Sequence, residues 1–243
     1  MNNNDLVEKV RTSRIMTEQV SPSDERIFEA MSRVDRAHFV TLPEGTDIRF
    51  AAMMMYGEDI SELSFAEQVY VDIPLPIGED QTCSQPRVVA YLAKLLGLED
   101  GMRVLEVGTG CGYQAAVLGE LVSPNGMVVS VESRWSLCCL AQENLSRHFK
   151  EGYGKVVKAF FGDGSAGWES ECPYDRILFT AGVHIPPQGK FSSALLANQV
   201  PHGILVYPQH IGSIIQEHYQ QGTMVDRKEF QYAMFVDLQG KNS

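Results

Sequence analysis

Val104 to Val122 reads VLEVGTGCGYQAAVLGELV, and its three parts decide the fold. Val104, Leu105 and Val107 form a short apolar run rich in β-branched residues, as expected of a strand buried on both faces of a parallel sheet. Gly108, Gly110 and Gly112 place three glycines in five residues, which permits positive φ and close approach of a ligand to the backbone. From Tyr113 onward, Ala115, Ala116, Leu118, Glu120 and Leu121 favour a helix. A strand, a glycine loop and the open end of a helix together predict a nucleotide-binding crevice.

The loop also discriminates between nucleotides. The dinucleotide fingerprint GxGxxG requires a third glycine where Tyr113 stands. Glu106, on the strand just before the loop, would repel a pyrophosphate but suits a cation. S-Adenosylmethionine has no phosphate and carries a sulfonium and an ammonium group. The loop therefore points to that cofactor and away from an NAD-dependent oxidoreductase.

Working outward, a second strand is expected over 126–131, ending at Glu132, where a carboxylate can bind two ribose hydroxyls. Ser133 follows it. Further strands are expected over 156–161 and 174–180, with a helix between 135 and 149. Gly162, Asp163 and Gly164 form a turn past the third strand, where the aspartate can meet the adenine amino group and the glycines leave room for the ring. Thr180, Ala181 and Gly182 reach the edge of the same crevice. A helix is expected over 190–199. Strands over 204–207, 213–219 and 230–238 follow without helices between them, which predicts an antiparallel edge.

The amino-terminal side reads less clearly. Residues 1–20 are expected to be a loosely held arm with room for one helix, followed by a helix over 24–36 capped by Ser21 or Ser23. The stretch 42–68 carries an apolar patch, FAAMMMY at 50–56, expected to be a buried cluster on a core-packing helix in preference to a lid or an insertion that contacts a partner or covers the substrate. In YVDIPLPIGEDQTCSQ (70–85), Pro74, Pro76 and Gly78 predict an ordered loop without regular structure. Ser84, ahead of Pro86, is expected to cap a helix over 88–96. Residues 1–69 are read as a helical extension with an insert and 70–243 as the catalytic domain, the two forming one folded unit.

The chain has 243 residues, 44% of them hydrophobic, enough for one α/β domain with a sizeable core. Its net charge of −11 argues against a nucleic-acid or polybasic membrane surface. No apolar run approaches the roughly 20 residues of a membrane span, and no signal peptide is read at the start. Five cysteines without framework spacing predict reduced thiols in a cytoplasmic protein. No Cys/His cluster has metal-ligand spacing, so no metal is expected.

Four stretches carry a family resemblance: YVDIPLPIGEDQTCSQP (70–86), VLEVGTGCGYQAAVLGEL (104–121), GDGSAGW (162–168) and PYDRILFTAG (173–182). The chain resembles protein-L-isoaspartate O-methyltransferases. The first stretch is specific to that family, whereas the second and third alone would indicate only a methyltransferase. The resemblance implies a Rossmann-like class I S-adenosylmethionine-dependent methyltransferase with a seven-stranded, mostly parallel sheet. It implies methylation of L-isoaspartyl and D-aspartyl carboxylates in damaged proteins or peptides, which initiates repair. Ser84 falls on the family's active-site serine. Gln81, Thr82, Cys83 and Ser84 are the candidate acceptor-binding residues. Glu106, Gly108, Thr109, Gly110, Gly112, Glu132, Ser133, Gly162, Asp163, Gly164 and Thr180 are the candidate cofactor-binding residues.

Departures from the family pattern lie near the acceptor side. The stretch 42–68 is long, Asp80 stands where glycine is common, and Cys83 occupies an often aliphatic site. Val200 to Gly203 replace a Pro-Gly-Gly type turn, and Asp237 stands where proline is frequent. A methyltransferase dedicated to one peptide or small acid, or a silent binding module on the same fold, are the competing expectations.

Overall fold

A computed structural model describes residues 1–13, 16, 22–184 and 202–240. The helix expected over 190–199 lies outside them. The described elements are α1 (Asn3–Arg11), α2 (Pro22–Arg33), α3 (Arg49–Tyr56), β1 (Leu75–Gly78), β2 (Gln81–Cys83), α4 (Pro86–Leu96), β3 (Arg103–Val107), α5 (Tyr113–Val122), β4 (Met127–Glu132), α6 (Trp135–Phe149), β5 (Val157–Phe161), β6 (Arg176–Phe179), β7 (Gly203–Pro208), β8 (Ile211–Gln220) and β9 (Thr223–Met234).

Seven strands form one sheet in the order β5-β4-β3-β6-β7-β8-β9. β5 to β7 run parallel, and β8 and β9 return antiparallel as the expected edge. β9 starts at Thr223, earlier than the 230 read from the sequence, because its outer face is polar and lacks the apolar run that marks a central strand. β3 occupies the middle, and Val104, Leu105, Glu106 and Val107 are all buried. Chain order reverses beside β3, between β4 and β6, and such a switch point opens a crevice at the strands' carboxyl ends. α5 lies under this crevice, buried at every position except Glu120. A helix apolar all round requires cover on all sides. α2, α6 and the sheet supply it.

Four expectations are corrected. Over residues 1–13 the amino-terminal arm is not loosely held: α1 is capped by Asn2 and Asp5 in a reciprocal capping box. Leu6, Val7 and Val10 are buried against the helices behind the sheet, each contributing about 1.5–3 kcal/mol. Residues 75–83 form a hairpin, not an irregular loop. A two-stranded ribbon leaves half its N–H groups unpaired, so Pro76 forfeits little there. Its turn is made by Glu79 and Asp80, both at positive φ, which explains why glycine would also serve at position 80. The apolar patch at 50–56 is not a buried cluster. Ala52 is buried, while Phe50 is 77% exposed and Met54 68%. Ser84 is not a helix cap, since α4 starts at Pro86 with Gln85 in the capping position.

Candidate active site

The β1–β2 hairpin and the glycine loop face each other across a cleft with about 510 Å³ of empty volume. Gln81, Thr82, Cys83 and Ser84 line one side; Gly108, Thr109, Gly110, Glu132 and Thr180 line the other. A second cleft, about 370 Å³, shares Gln81, Gly108, Glu132 and Ala181 with the first and extends to Ser133 and Gly164. The two form one continuous groove across the carboxyl ends of β3, β4 and β6.

The loop between β3 and α5 is held by its neighbours. Gly108 donates from its N–H to the Val131 carbonyl (2.9 Å), and Thr180 Oγ1 donates to the carbonyls of Val107 and Gly108. A Cβ at Gly108 would sit 2.4 Å from Thr180 Oγ1, at φ +102°. Only glycine fits this approach. Glu132 Oε2 accepts from Gly110 N–H (2.8 Å) and Oε1 from Arg134 N–H (3.0 Å). A carboxylate offers about four acceptor positions, so two bonds remain for a pair of hydroxyls.

Glu106 does not line the groove. It lies beneath the loop, 0% exposed, and accepts a hydrogen bond from Ser130, whose hydroxyl is 2.6 Å from Thr109 Oγ1. Burial, reinforced by the nearby Glu132, pushes its carboxyl up to about 8 despite the Ser130 bond. At neutral pH this group carries its proton, so Glu106 presents no negative charge beneath the loop, contrary to the expectation from sequence. Gly162 and Asp163 also line neither cleft. Asp163 Oδ1 accepts from Ser165 N–H (2.9 Å), and the chain at Gly240 passes close against the same oxygen.

Sequence reasoning missed Arg36. Its side chain is fully buried. Nη1 donates to the carbonyls of Val69 (3.1 Å) and Val71 (2.7 Å), and Nη2 donates to Ile73 (2.9 Å) and Ser84 (3.3 Å). One guanidinium thereby staples the segment leading into the hairpin to the carbonyl of Ser84. A fork of five donors suits four converging carbonyls, where lysine offers three. Nη2 also lies 4.0 Å from Cys83 Sγ. The Cys111 thiol and this guanidinium pull Cys83 down to about 7, while Cys111 itself is pushed up by its partner and by burial.

The groove fits S-adenosylmethionine: it is long, crosses the switch point, and presents a glycine cradle that a Cβ would obstruct. Comparison with known proteins agrees. The family model for protein-L-isoaspartate(D-aspartate) O-methyltransferase matches residues 47–243. A protein-L-isoaspartate O-methyltransferase from Methanopyrus kandleri is 40% identical over 204 residues, 84% of this chain and 75% of the relative. Another from Archaeoglobus fulgidus is 38% identical over 233 residues, 94% of this chain and 93% of the relative. Among solved structures, a protein-L-isoaspartate O-methyltransferase superposes with TM-score 0.74 at 24% identity, covering 99% of this chain and 67% of that one. A Plasmodium falciparum beta-aspartate methyltransferase structure in complex with S-adenosyl-L-homocysteine gives 0.72 at 19%, covering 98% and 99%. These structural likenesses establish the fold, and the sequence matches establish the family. The chain belongs to the protein-L-isoaspartate(D-aspartate) O-methyltransferase family and is an S-adenosylmethionine-dependent methyltransferase.

Proposed function

We propose that the enzyme methylates the free carboxylate of L-isoaspartyl and D-aspartyl residues in damaged proteins and peptides, and that Ser84 orients that carboxylate. The observation that carries this reading is the placement of the Gln81–Ser84 strip and the glycine loop on opposite walls of one groove. The bound cofactor supplies an electrophilic methyl group on a sulfonium.

The chain's residues supply position. A carboxylic acid with a pKa near ~4 is already ionised at neutral pH, so no general base is required. The side chains facing the first cleft are neutral apart from Glu132 and the titrating thiol of Cys83. Ser84 Oγ, free of any capping duty, donates to one acceptor oxygen and leaves the other directed across the groove. Holding reactants at about 3 Å in line converts a bimolecular encounter into a near-unimolecular step. Ile77, Val89, Leu137 and Val236 form apolar walls that exclude water from the anionic nucleophile. Glu132 holds the ribose hydroxyls, Gly108, Thr109 and Gly110 cradle the cofactor with Gly112 packed behind them against Leu145, and Ser133 and Gly164 line the adenine end, which the turn at Gly162 and Asp163 supports from outside the clefts. Thr180 braces Gly108 from behind. Glu106 acts through Ser130 and Thr109 as a positioning residue beneath the loop.

No helix among the described residues is long and apolar enough to cross a membrane. All five cysteines are free, which supports a reducing, cytoplasmic setting and protein substrates met there.

The test is Ser84→Ala. Losing one hydrogen bond to a charged acceptor, about 1.5–3 kcal/mol, lowers kcat/KM for an isoaspartyl peptide roughly 10- to 100-fold. Affinity for S-adenosylhomocysteine stays the same. An undiminished rate in a folded variant removes Ser84 from the reaction.

A further inference from the structure

The end of β6, the β7–β8 turn and the segment after β9 converge beside the groove. Two single backbone bridges join them, Gly182 with Asp237 and Val183 with Gln209. Gly182 N–H donates to Val236 O (2.7 Å), Leu238 N–H to Gly182 O (2.9 Å), and His210 N–H to Val183 O (3.2 Å). The approach is so close that a Cβ at Gly182 would lie 2.5 Å from His210 Cα. Three side chains far apart in sequence are brought together as a result. His184 Nε2 lies 2.9 Å from Asp237 Oδ1, and His210 Nδ1 contacts the same oxygen. The two imidazole rings are 4.8 Å apart between centroids and inclined by 32°. One ligand atom from each residue falls within 4.8 Å of the others.

We propose that His184, His210 and Asp237 form a binding site for a divalent transition-metal ion of the zinc class at the rim of the methyl-transfer groove, whose second cleft Asp237 lines while His184 and His210 line neither cleft. Two imidazole nitrogens and one carboxylate oxygen match that class, whereas magnesium and calcium favour all-oxygen sets. Tetrahedral ligands at about 2.0–2.1 Å from an ion stand roughly 3.3 Å apart. The present separations therefore need only small side-chain rotations, which partly exposed residues can make. Three protein ligands leave a coordination position for water or an anion, so the site binds reversibly and more weakly than a four-ligand structural site. Backbone bonds hold His210 itself, both neighbours of Asp237, and Val183 beside His184, which reduces the ordering a bound ion must impose. A bound ion cross-links the segment carrying Val236 and Leu238, which line the groove, to the end of β6. Spacing along the chain gave no sign of this site, because each ligand comes from a different strand end.

The full chain, stripped with a chelator, is titrated with Zn²⁺ by calorimetry and with Co²⁺ by absorption, at a pH of about 7.5 where free imidazole is neutral. One ion per chain in the micromolar range is expected, with ligand-field bands for Co²⁺ and a raised Tm. His184→Gln, a partly exposed residue outside both clefts, weakens Zn²⁺ by at least roughly tenfold. It leaves S-adenosylhomocysteine affinity unchanged, which reports that the variant is folded. Asp237→Asn weakens the ion similarly. Absence of saturable binding, or equal binding by both variants and the parent, overturns the proposal.

Discussion

Replacing Glu106 with glutamine should flatten the pH dependence of this protein's stability. The carboxyl is 0% exposed, accepts from Ser130 and sits near Glu132, and burial raises it from 4.5 to about 8. Between those two values the folded chain holds a proton that the unfolded chain has released. Stability from this group is therefore fully present below about pH 4.5 and falls as pH rises, until the folded group itself ionises near 8. Each pH unit inside that window is worth about 1.4 kcal/mol per proton. From about pH 5.5 to 7.5 the parent should lose roughly 3 kcal/mol that Glu106→Gln does not lose. Glutamine preserves the shape, and its carbonyl still accepts from Ser130, so the comparison isolates the proton. Urea unfolding of both proteins at three pH values within the window reads the difference directly. Parallel profiles would refute the reasoning, because they would mean the buried carboxyl titrates alike in the folded and unfolded chains.

Glu132→Ala should weaken S-adenosylhomocysteine about tenfold or more through loss of two ribose hydrogen bonds, read by calorimetry; unchanged affinity removes the ribose role. The Cys111 thiol and the Arg36 guanidinium hold Cys83, next to Ser84, below the usual thiol range, so KM for a carboxylate peptide should rise with pH before free thiols ionise, and Cys83→Ser should abolish the rise. Arg36→Met leaves the carbonyls of Val69, Val71, Ile73 and Ser84 without their donor and should destabilise the fold by several kcal/mol, at about 1–3 kcal/mol per buried group. Arg36→Lys should recover part of that loss, and the two together are read as Tm shifts.

The parts legible in the sequence were those whose cause is local. β3 and β4 are buried on both faces, so 104–107 and 128–131 carry a strong β-branched apolar signal, each broken by a single polar residue, Glu106 and Ser130. The glycine loop and Glu132 sit where any strand-to-helix crevice would place them. What escaped depends on contacts across the fold. Pro76 hid the hairpin because the tolerance of a two-stranded ribbon for proline appears only once its partner strand is known. Ser84 resembled a cap until Gln85 took that position. The Asn2–Asp5 capping box and the Leu6, Val7, Val10 face were readable, yet a short terminal helix has no stability until tertiary packing supplies it. Composition alone suggested a buried 50–56 patch, but Phe50, Met54 and Met55 face outward. Glu106 was legible as the residue on β3 just before the loop, but its position beneath the loop and its protonation follow from burial that only the folded chain creates. Arg36 and the His184–His210–Asp237 cluster assemble from distant segments and have no local spacing at all.

The central claim is that one groove brings a methyl donor over the glycine loop to a carboxylate steered by the proline-containing hairpin. Its most direct measurement is transfer of a radiolabelled methyl group from S-adenosylmethionine to two peptides of identical sequence, one with an isoaspartyl and one with an aspartyl linkage. The account predicts base-labile label on the isoaspartyl peptide, near-background label on its partner, and a strong loss with Ser84→Ala. Equal labelling of both peptides, or none on either by a folded enzyme that binds the cofactor, would contradict it.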